Sequence, residues 1–249
     1  MQFKDYFSTR SNDYAKYRPR YPQSLFEYLS SVAAQHERAW DCATGNGQAA
    51  LGLTPFFEQV IATDASESQL ESAIQHEKIT YRVASAERID IEAASVDLVT
   101  VAQALHWFDL DGFYTEAKRV LKASGVLAAW AYNLLEIEPE IDAKINEFYG
   151  STVGPYWPPE RRLIEDGYRS IAFPFREMTP PPMQIEARWN LPDLLGYLRT
   201  WSATKRFIEA RGFDPVTDLT NALLPIWGAP EQEKQVRWPL NLRVGVNES

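Results

Sequence analysis

Cysteine is nearly absent from this sequence, because Cys42 is the single cysteine among 249 residues. One cysteine excludes an internal disulfide framework and any zinc site built from several cysteines. Long apolar runs are also missing, since none approaches the roughly 20 residues that cross a bilayer. The first residues, MQFKDYFSTRSND, are too polar and charged for a signal peptide. We therefore expect a cytoplasmic protein that has no membrane partner and is stabilised by packing.

Positive charge is in deficit, with 25 lysines and arginines against 34 aspartates and glutamates and a formal net charge of −9. Proteins that bind a nucleic-acid backbone do so through clustered lysines and arginines. The deficit therefore disfavours a nucleic-acid partner and favours a small molecule or a basic partner.

Five short apolar runs have the length of buried strands, and segments with helix signals lie between them. The runs cover residues 38–43, 59–64, 79–85, 96–103 and 125–132. The clearest helix signals are a segment at 66–75, opened by Ser66, and one at 111–125, closed by Gly125. This alternation predicts an α/β fold with a parallel sheet, helices on both faces and ligands at the carboxyl ends of the strands.

The flanking segments follow other patterns. A helix is predicted at 22–35 with Pro22 near its start, and an amphipathic helical stretch at 191–212 ends near Gly212. Apolar and polar residues alternate at 234–247, which predicts an edge or antiparallel strand.

The region after residue 133 is rich in aromatic residues, and six of the eight tryptophans lie from Trp130 onward. They form either a cap over the open end of the sheet or a second core layer. We expect an α/β core with an N-terminal arm at 1–133 and a cap or substrate region at 134–233 that includes part of the sheet. The segment 234–249 would then complete the core sheet.

The loop that follows the first run, WDCATGNGQAA, contains a glycine-rich turn and a carboxylate. Gly45, Gly47 and Ala50 match the fingerprint of a dinucleotide site, and Asp64 ends the next run where a ribose-binding acid would lie. Asp41 argues against a dinucleotide, because a carboxylate beside a pyrophosphate costs on the order of 1 to 4 kcal/mol. The same carboxylate would attract an ammonium or sulfonium group. A nicotinamide-dependent oxidoreductase stays possible if Asp41 points away from the ligand.

These residues resemble the first motif of the class I S-adenosylmethionine-dependent methyltransferases, with Asp41, Gly45 and Gly47 at its acidic and glycine positions. Ala43 departs from the motif, where glycine is usual, so we expect a negative φ there. The resemblance extends over roughly residues 7–133. It implies a Rossmann-like seven-stranded methyltransferase sheet with an inserted helical and aromatic cap, S-adenosylmethionine as the cofactor, and no metal.

The resemblance also implies cofactor contacts at the ends of the later strands. Asp64, with Ala65 beside it, would bind both ribose hydroxyls, and Gln103 would contact the cofactor or cap its strand. Three residues would lie near the adenine: Ser85, Ala86 and Glu87.

The segments YAKYRPRYP at 14–22 and ALHWFD at 104–109 are most similar to the trans-aconitate methyltransferase-like group. That group acts on small, often carboxylated molecules, which implies transfer of a methyl group to an oxygen, with nitrogen or carbon as alternative acceptors. Transfer from a sulfonium needs alignment and exclusion of water, and no covalent intermediate.

His106 follows the fourth run and is the one histidine placed near the expected site. It is a general base, a hydrogen-bond partner of the substrate, or a residue that only packs with Trp107. With a carboxylate as acceptor no base is needed, and His106 becomes a positioning group.

The N-terminal arm supplies Tyr14, Tyr17 and Arg18, which either fold over the site as a lid or belong to a solvated arm whose tyrosines pack on the sheet. Trp107 and Trp157 are further candidates for contacts with the substrate. Arg161, near Trp157, could bind an acidic substrate, but we expect an exposed loop there. A non-catalytic ligand-binding module with the same fold is the remaining alternative.

Overall fold

The computed structural model describes residues 17–248, whose strands form one mixed sheet. The eight strands of this part of the chain are β1 (Arg38–Cys42), β2 (Gln59–Asp64), β3 (Ile79–Val83), β4 (Val96–Ala102), β5 (Leu121–Tyr132), β6 (Arg176–Met178), β7 (Met183–Trp189) and β8 (Lys234–Val246). The order is β3-β2-β1-β4-β5-β8, and β6 and β7 share the position beyond β8. The predicted Rossmann-like α/β sheet is thereby confirmed, with eight strands in the described chain where seven were expected.

Strands β1 to β5 are parallel to one another, as the uninterrupted apolar runs predicted. Strand β8 is antiparallel to β5, pairing Val126 with Val246 and Tyr132 with Leu240. Of the two alternatives expected at 234–247, the antiparallel strand is confirmed, and β8 does not lie at the edge of the sheet. The alternating pattern follows burial, because Val236, Trp238 and Leu240 are buried while the residues between them are exposed. Strands β6 and β7 are bonded to the side of β8 that faces away from β5.

The helices of the described chain are α1 (Gln23–Val32), α2 (Gln48–Leu53), α3 (Glu67–Glu71), α4 (Leu110–Val120), α5 (Pro139–Glu147), α6 (Arg161–Glu165), α7 (Leu191–Arg199), α8 (Ser202–Arg211) and α9 (Val216–Trp227). Short helical turns add Leu105–Trp107, Phe148–Thr152 and Gly154–Tyr156. None of the helices between residues 17 and 248 has the length and apolarity that crossing a membrane requires.

Three helix predictions need correction. The segment 111–125 leaves the helix at Val120, and Gly125 lies inside β5, where the irregular pairing with β4 and the positive φ of Ser124 (64°) form a bulge. The stretch 191–212 is two helices, because Thr200 and the extended Trp201 separate α7 from α8; α8 does end at Gly212. The helix expected at 66–75 covers only Glu67–Glu71.

The core forms two apolar layers, one on each face of the sheet. Val126, Ala128 and Trp130 of β5 face the layer that contains α1, α2 and the helices after residue 133. Leu127 and Ala129, which alternate with them, face α4 and the segment that contains Ile164 and Tyr168. Because β1, β2 and β4 are parallel, their carboxyl ends lie along one edge of the sheet, between these two layers.

The late tryptophans divide between the two roles that the sequence left open. Trp130, Trp227 and Trp238 have at most 1% of their surface exposed and belong to the core. Trp157 and Trp201 instead line a chamber beside the carboxyl edge of the sheet.

Candidate functional site

A cavity of about 470 Å³ lies at the carboxyl ends of β1, β2 and β4, where the sequence predicted a ligand site. The predicted site residues that line it are Arg18, Ala43, Gly45, Asp64, Ala65, Ser85, Ala86, Glu87, Gln103, His106 and Trp107. Asp41, Gly47 and Tyr17 do not line it, Trp157 lines a side chamber, and Tyr14 lies outside the described residues.

Asp64 forms the polar wall of the cavity at the end of β2. One carboxylate oxygen accepts from the backbone N–H of Gly45 at 2.9 Å, and the other accepts from the backbone N–H of Ser66 at 2.9 Å. These two bonds fix the orientation of the carboxylate at the cavity wall. The arrangement suits a ligand that presents two neighbouring hydroxyl groups, such as a ribose.

Two non-glycine residues of the cavity wall adopt the left-handed conformation. Ala43 has a φ of 55° and Gln103 a φ of 58°. The expectation of a negative φ at Ala43 is therefore wrong: the backbone keeps the conformation that suits glycine, although a methyl group is present. Each such residue costs on the order of 1 kcal/mol, and such strain concentrates at functional sites. The side-chain amide of Gln103 also donates to the carbonyl of Tyr132.

Asp41 is buried and does not line the cavity, and its predicted contact with the cofactor stays a prediction. Its carboxylate has no exposed surface and accepts from the hydroxyls of Thr44 at 2.5 Å and Thr100 at 2.7 Å. The backbone N–H of Ala50, near the start of α2, also faces it. Asp41 therefore joins the loop, β4 and α2 from behind the cavity. Burial raises its pKa to about 6, and the nearby Asp64 adds to the shift.

Gly47 is required by its own backbone conformation and by a neighbouring side chain, and its predicted contact with the cofactor stays a prediction. Its φ is 81°, and a Cβ atom there would lie 2.1 Å from the Tyr81 hydroxyl. That hydroxyl donates to the carbonyl of Ile74 at 2.6 Å. Gly45 is the glycine that lines the cavity, with a φ of 56°.

The segment after β3 forms another wall of the cavity. Ala86 is buried, Ser85 lies on the exposed rim, and the Glu87 carboxylate accepts from the backbone N–H of Asp109 at 3.2 Å. Glu87 thus holds the N-terminal end of α4 against the cavity. Its predicted place beside the adenine stays a prediction.

His106 lies where the cavity meets a side chamber of about 80 Å³. The Nδ1 atom is 2.9 Å from the Tyr168 hydroxyl, and the imidazole ring contacts the rings of Trp107 and Tyr168. Burial lowers the pKa of His106 to about 3, and the positive charge of Arg161 contributes to the shift. His106 is therefore neutral and weakly basic near neutral pH.

The side chamber has aromatic walls and two guanidinium groups. Arg161 donates to the Asn133 side chain at 2.6 Å and to the Tyr149 hydroxyl at 2.9 Å, and it lies 4.8 Å from the centre of the Trp157 ring. None of the ion pairs within residues 17–248 includes Arg161. The Tyr149 hydroxyl in turn donates to Glu165.

The described part of the N-terminal arm contributes Arg18, Pro19 and Tyr21 to the cavity, and of these Arg18 also lines the chamber. Arg18 donates to the Tyr132 hydroxyl at 3.1 Å, lies over the Tyr197 ring, and lines both the cavity and the chamber. Tyr17 instead packs its ring against Gly196 of α7.

Several cavity residues were missed or given too little weight at the sequence level. Tyr132 ends β5 and Asn133 follows it, so the rule that strand ends build the site could have found both. Arg161 was expected on an exposed loop, yet it is half-buried in the chamber. No signal in the sequence singles out Tyr168.

The cavity fits the cofactor that the sequence implied. Asp64 offers acceptors for a ribose, Gly45 permits close approach of a ligand to the backbone, and Ala84 and Ala86 give a narrow apolar slot beside Ser85. The volume is within the range of about 300 to 1,000 Å³ that is usual for ligand sites.

Comparisons with known proteins agree with this geometry. Residues 40–129 match the family model described as a methyltransferase domain. A Dictyostelium discoideum protein that carries a methyltransferase name is 34% identical over 239 residues, covering 94% of this chain and 91% of that protein. A Saccharomyces cerevisiae protein named as an S-adenosylmethionine-dependent methyltransferase is 31% identical over 139 residues, covering 52% of this chain and 46% of that protein.

Among solved structures, a type II methyltransferase from Anaeromyxobacter dehalogenans is 45% identical, with a TM-score of 0.88 over 92% of this chain and 98% of that one. Both near-complete matches include the region after residue 133, so the similarity is not limited to the cofactor loop. The chain belongs to the class I S-adenosylmethionine-dependent methyltransferases.

Proposed function

We propose that this methyltransferase transfers the methyl group of S-adenosylmethionine to an oxygen of a small molecule, with a carboxylate as the acceptor group. The observation that carries the proposal is the half-buried Arg161, which lies beside the neutral His106 in the side chamber and makes no ion pair within residues 17–248.

A half-buried guanidinium without a carboxylate partner favours an anionic ligand. Arg161 uses its Nε and Nη2 atoms on Tyr149 and Asn133, which leaves further N–H donors for the chamber. Guanidinium groups bind carboxylates in a planar geometry that lysine cannot match. A small carboxylate would supply the charge that the chamber lacks.

The weak basicity of His106 favours the same acceptor. General base catalysis is most effective when the base titrates near the working pH, and His106, with its pKa of about 3, is far below it. A carboxylate is already deprotonated at neutral pH, so its transfer requires no base. An alcohol or amine acceptor would need a proton acceptor, and the described residues of the chamber walls include no carboxylate.

The remaining residues bind and orient the reactants. When bound, S-adenosylmethionine supplies an activated methyl group. Asp64 would hold its ribose, and the strained Gln103 would hold the junction between cofactor cavity and acceptor chamber. Trp157, Trp201 and Tyr197 would exclude water from the acceptor. The similarity to the trans-aconitate methyltransferase-like group supports this class of acceptor.

The two alternatives raised by the sequence make different predictions for binding. The repulsion of a pyrophosphate by Asp41 no longer argues against a dinucleotide, because that carboxylate does not face the cavity; membership of the methyltransferase family does. Calorimetric titration with S-adenosylhomocysteine should show binding, and titration with NADH should not. Binding of NADH alone would contradict the proposal.

Activity should be measured as transfer of labelled methyl to a panel of small carboxylic acids, each paired with its amide and its alcohol. We expect label in base-labile esters of the acids. Arg161→Gln should raise KM for the acid at least 10-fold, because a charge-assisted hydrogen bond contributes about 1.5 to 3 kcal/mol.

The matched control is Arg162→Gln, which removes the same charge at the adjacent, exposed residue. This variant should retain the native KM, and both variants should bind S-adenosylhomocysteine as the native protein does. Label in the amides or alcohols but not the acids would contradict the proposed acceptor. A panel without any turnover would favour a ligand-binding module.

A further inference from the structure

Tyr168 is a fully buried tyrosine that the proposed transfer does not use directly. It has a φ of 61° and follows Gly167, whose φ is 64°, so two successive residues are left-handed. Its backbone N–H donates to the Leu163 carbonyl at 2.8 Å, and its carbonyl accepts from Arg243 of β8 at 2.8 Å. The left-handed backbone at Gly167 and Tyr168, together with the bond from Arg243, restrains this segment, so the Tyr168 hydroxyl has a constrained position.

That hydroxyl lies 2.9 Å from Nδ1 of His106, and the donor of this bond follows from the surroundings. Among residues 17–248, no other hydrogen-bond acceptor is paired with the Tyr168 hydroxyl. If Nδ1 carried the hydrogen, the phenol proton would be buried without an acceptor, which costs about 1 to 3 kcal/mol. If the phenol donates, both groups are satisfied.

Ordinary acid–base chemistry points the same way, because an unprotonated imidazole nitrogen is a much better acceptor than a phenol oxygen. The backbone N–H groups of Leu105 and His106 also face the Tyr168 oxygen, where they act as donors toward it. Nδ1 of His106 is therefore the acceptor, and the single proton of the neutral ring lies on Nε2.

We propose that Tyr168 is a positioning residue that fixes His106 as the Nε2–H tautomer, so that His106 donates a hydrogen bond to the acceptor molecule. Nε2 has no hydrogen-bond partner within residues 17–248 and is not sealed from solvent, so the cavity walls leave it accessible to a ligand. The direction of the bond stands on its own, whereas the role toward the acceptor rests on the proposed function.

A donor at this place complements Arg161, since the two residues line the same chamber. An acceptor oxygen that receives a hydrogen bond from Nε2 keeps its lone pairs oriented, and it loses no proton to His106. The low pKa of His106 agrees with this arrangement, because protonation at Nδ1 would require the Tyr168 hydroxyl to turn away.

The test is a nitrogen-15 spectrum of the protein labelled in its histidines, recorded with long-range proton correlation. The sequence has three histidines, and His106→Gln identifies the signals of His106 by their loss. In the native protein we expect an unprotonated Nδ1 and a protonated Nε2 at neutral pH. A protonated Nδ1 in the spectrum of the native protein would by itself overturn the inference, whether or not any variant folds.

Tyr168→Phe should release the constraint, and the two nitrogen shifts of His106 should move toward the averaged values of an imidazole that exchanges tautomers. Tyr114→Phe is the matched control, because it removes a buried hydroxyl that has no hydrogen-bond partner in the described chain. It should leave both shifts unchanged. Unchanged shifts in a folded Tyr168→Phe variant would overturn the positioning role.

Kinetics then separate this inference from the proposed function. With an acid that is turned over, Tyr168→Phe should raise KM for the acid 3-fold or more and leave the affinity for S-adenosylhomocysteine unchanged. If no acid is methylated while the Nε2–H tautomer and its loss in Tyr168→Phe are observed, the proposed acceptor fails and the role of Tyr168 stands. If acids are methylated but His106 carries its proton on Nδ1, the proposed acceptor stands and the role of Tyr168 fails.

Discussion

Replacing Asp41 by asparagine should change how the stability of the protein depends on pH. Burial raises the pKa of Asp41 from 3.8 to about 6 in the folded protein. The folded state therefore binds this proton more tightly than the unfolded state does. The contribution of this proton to the stability of the folded state is complete below pH 4, and it is lost as the pH rises through 6. The shift of about 2 units corresponds to roughly 3 kcal/mol, since each unit is 1.36 kcal/mol.

Asparagine should fit this site because it has nearly the shape of aspartate and carries no charge. The hydroxyls of Thr44 and Thr100 can each donate or accept, so one can turn to accept from the new amide. Above pH 7 we expect Asp41→Asn to raise the unfolding free energy by about 1 to 3 kcal/mol. Because Asp41 lies behind the cavity, the affinity for S-adenosylhomocysteine should not change.

The assay is urea unfolding followed by tryptophan fluorescence at pH 5 and pH 7.5. From the lower to the higher pH, the native protein should lose about 1 to 1.5 kcal/mol more stability than Asp41→Asn does. The matched control is Asp97→Asn, since Asp97 is also buried but pairs with Lys122 at 2.8 Å. That variant should be less stable than the native protein at pH 7.5. Parallel pH curves for the native protein and Asp41→Asn would refute the reasoning.

Three further substitutions test the loop and the strand ends. Asp64→Asn should weaken S-adenosylhomocysteine binding about 10-fold or more in calorimetry, because the site loses a charged acceptor; an unchanged Kd would contradict the role of Asp64. Ala43→Gly should leave the urea unfolding free energy unchanged or raise it by up to about 1 kcal/mol, since relief of left-handed strain outweighs the added freedom of the unfolded chain. The control Ala49→Gly, inside α2, should lower the unfolding free energy by about 1 kcal/mol. Equal losses in Ala43→Gly and Ala49→Gly would contradict strain at Ala43. Gly47→Ala should lower the urea unfolding free energy by about 2 kcal/mol. Adding Tyr81→Phe should recover only part of that loss, because the φ of 81° persists; full recovery would contradict backbone strain.

The strands of the sheet could be predicted because parallel strands covered on both faces are continuous apolar runs. The boundary between α4 and β5 could not. The residues Leu121 and Lys122 continue a helix-like pattern, and only pairing with β4 makes them extended. Likewise, the break at Thr200 between α7 and α8 has no proline or glycine to announce it.

The loops that the sequence indicated line the cavity. Two side chains lie elsewhere than expected, because Asp41 is buried behind the cavity and Arg161 is half-buried in the side chamber. Asp41 is flanked in β1 by Trp40 and Cys42, whose side chains enter the apolar layer beside α4. Alternation along a strand places Asp41 on the opposite face, under α2, and this could have been deduced. Arg161 and Tyr168 are different, because tertiary folding alone brings segments after residue 150 to the end of β4.

The position of β8 between β5 and the strands β6 and β7 has a consequence for synthesis of the chain on the ribosome. Within the described sheet, β6 and β7 are bonded only to β8, which follows them in the sequence. Residues up to β5 can therefore assemble the cofactor half of the sheet early, while the acceptor half waits for residues 234–246. Arg243, which holds Tyr168, belongs to that segment. The last strand to be synthesised is thus the one that ties the segment of Tyr168, beside the acceptor chamber, to the rest of the sheet.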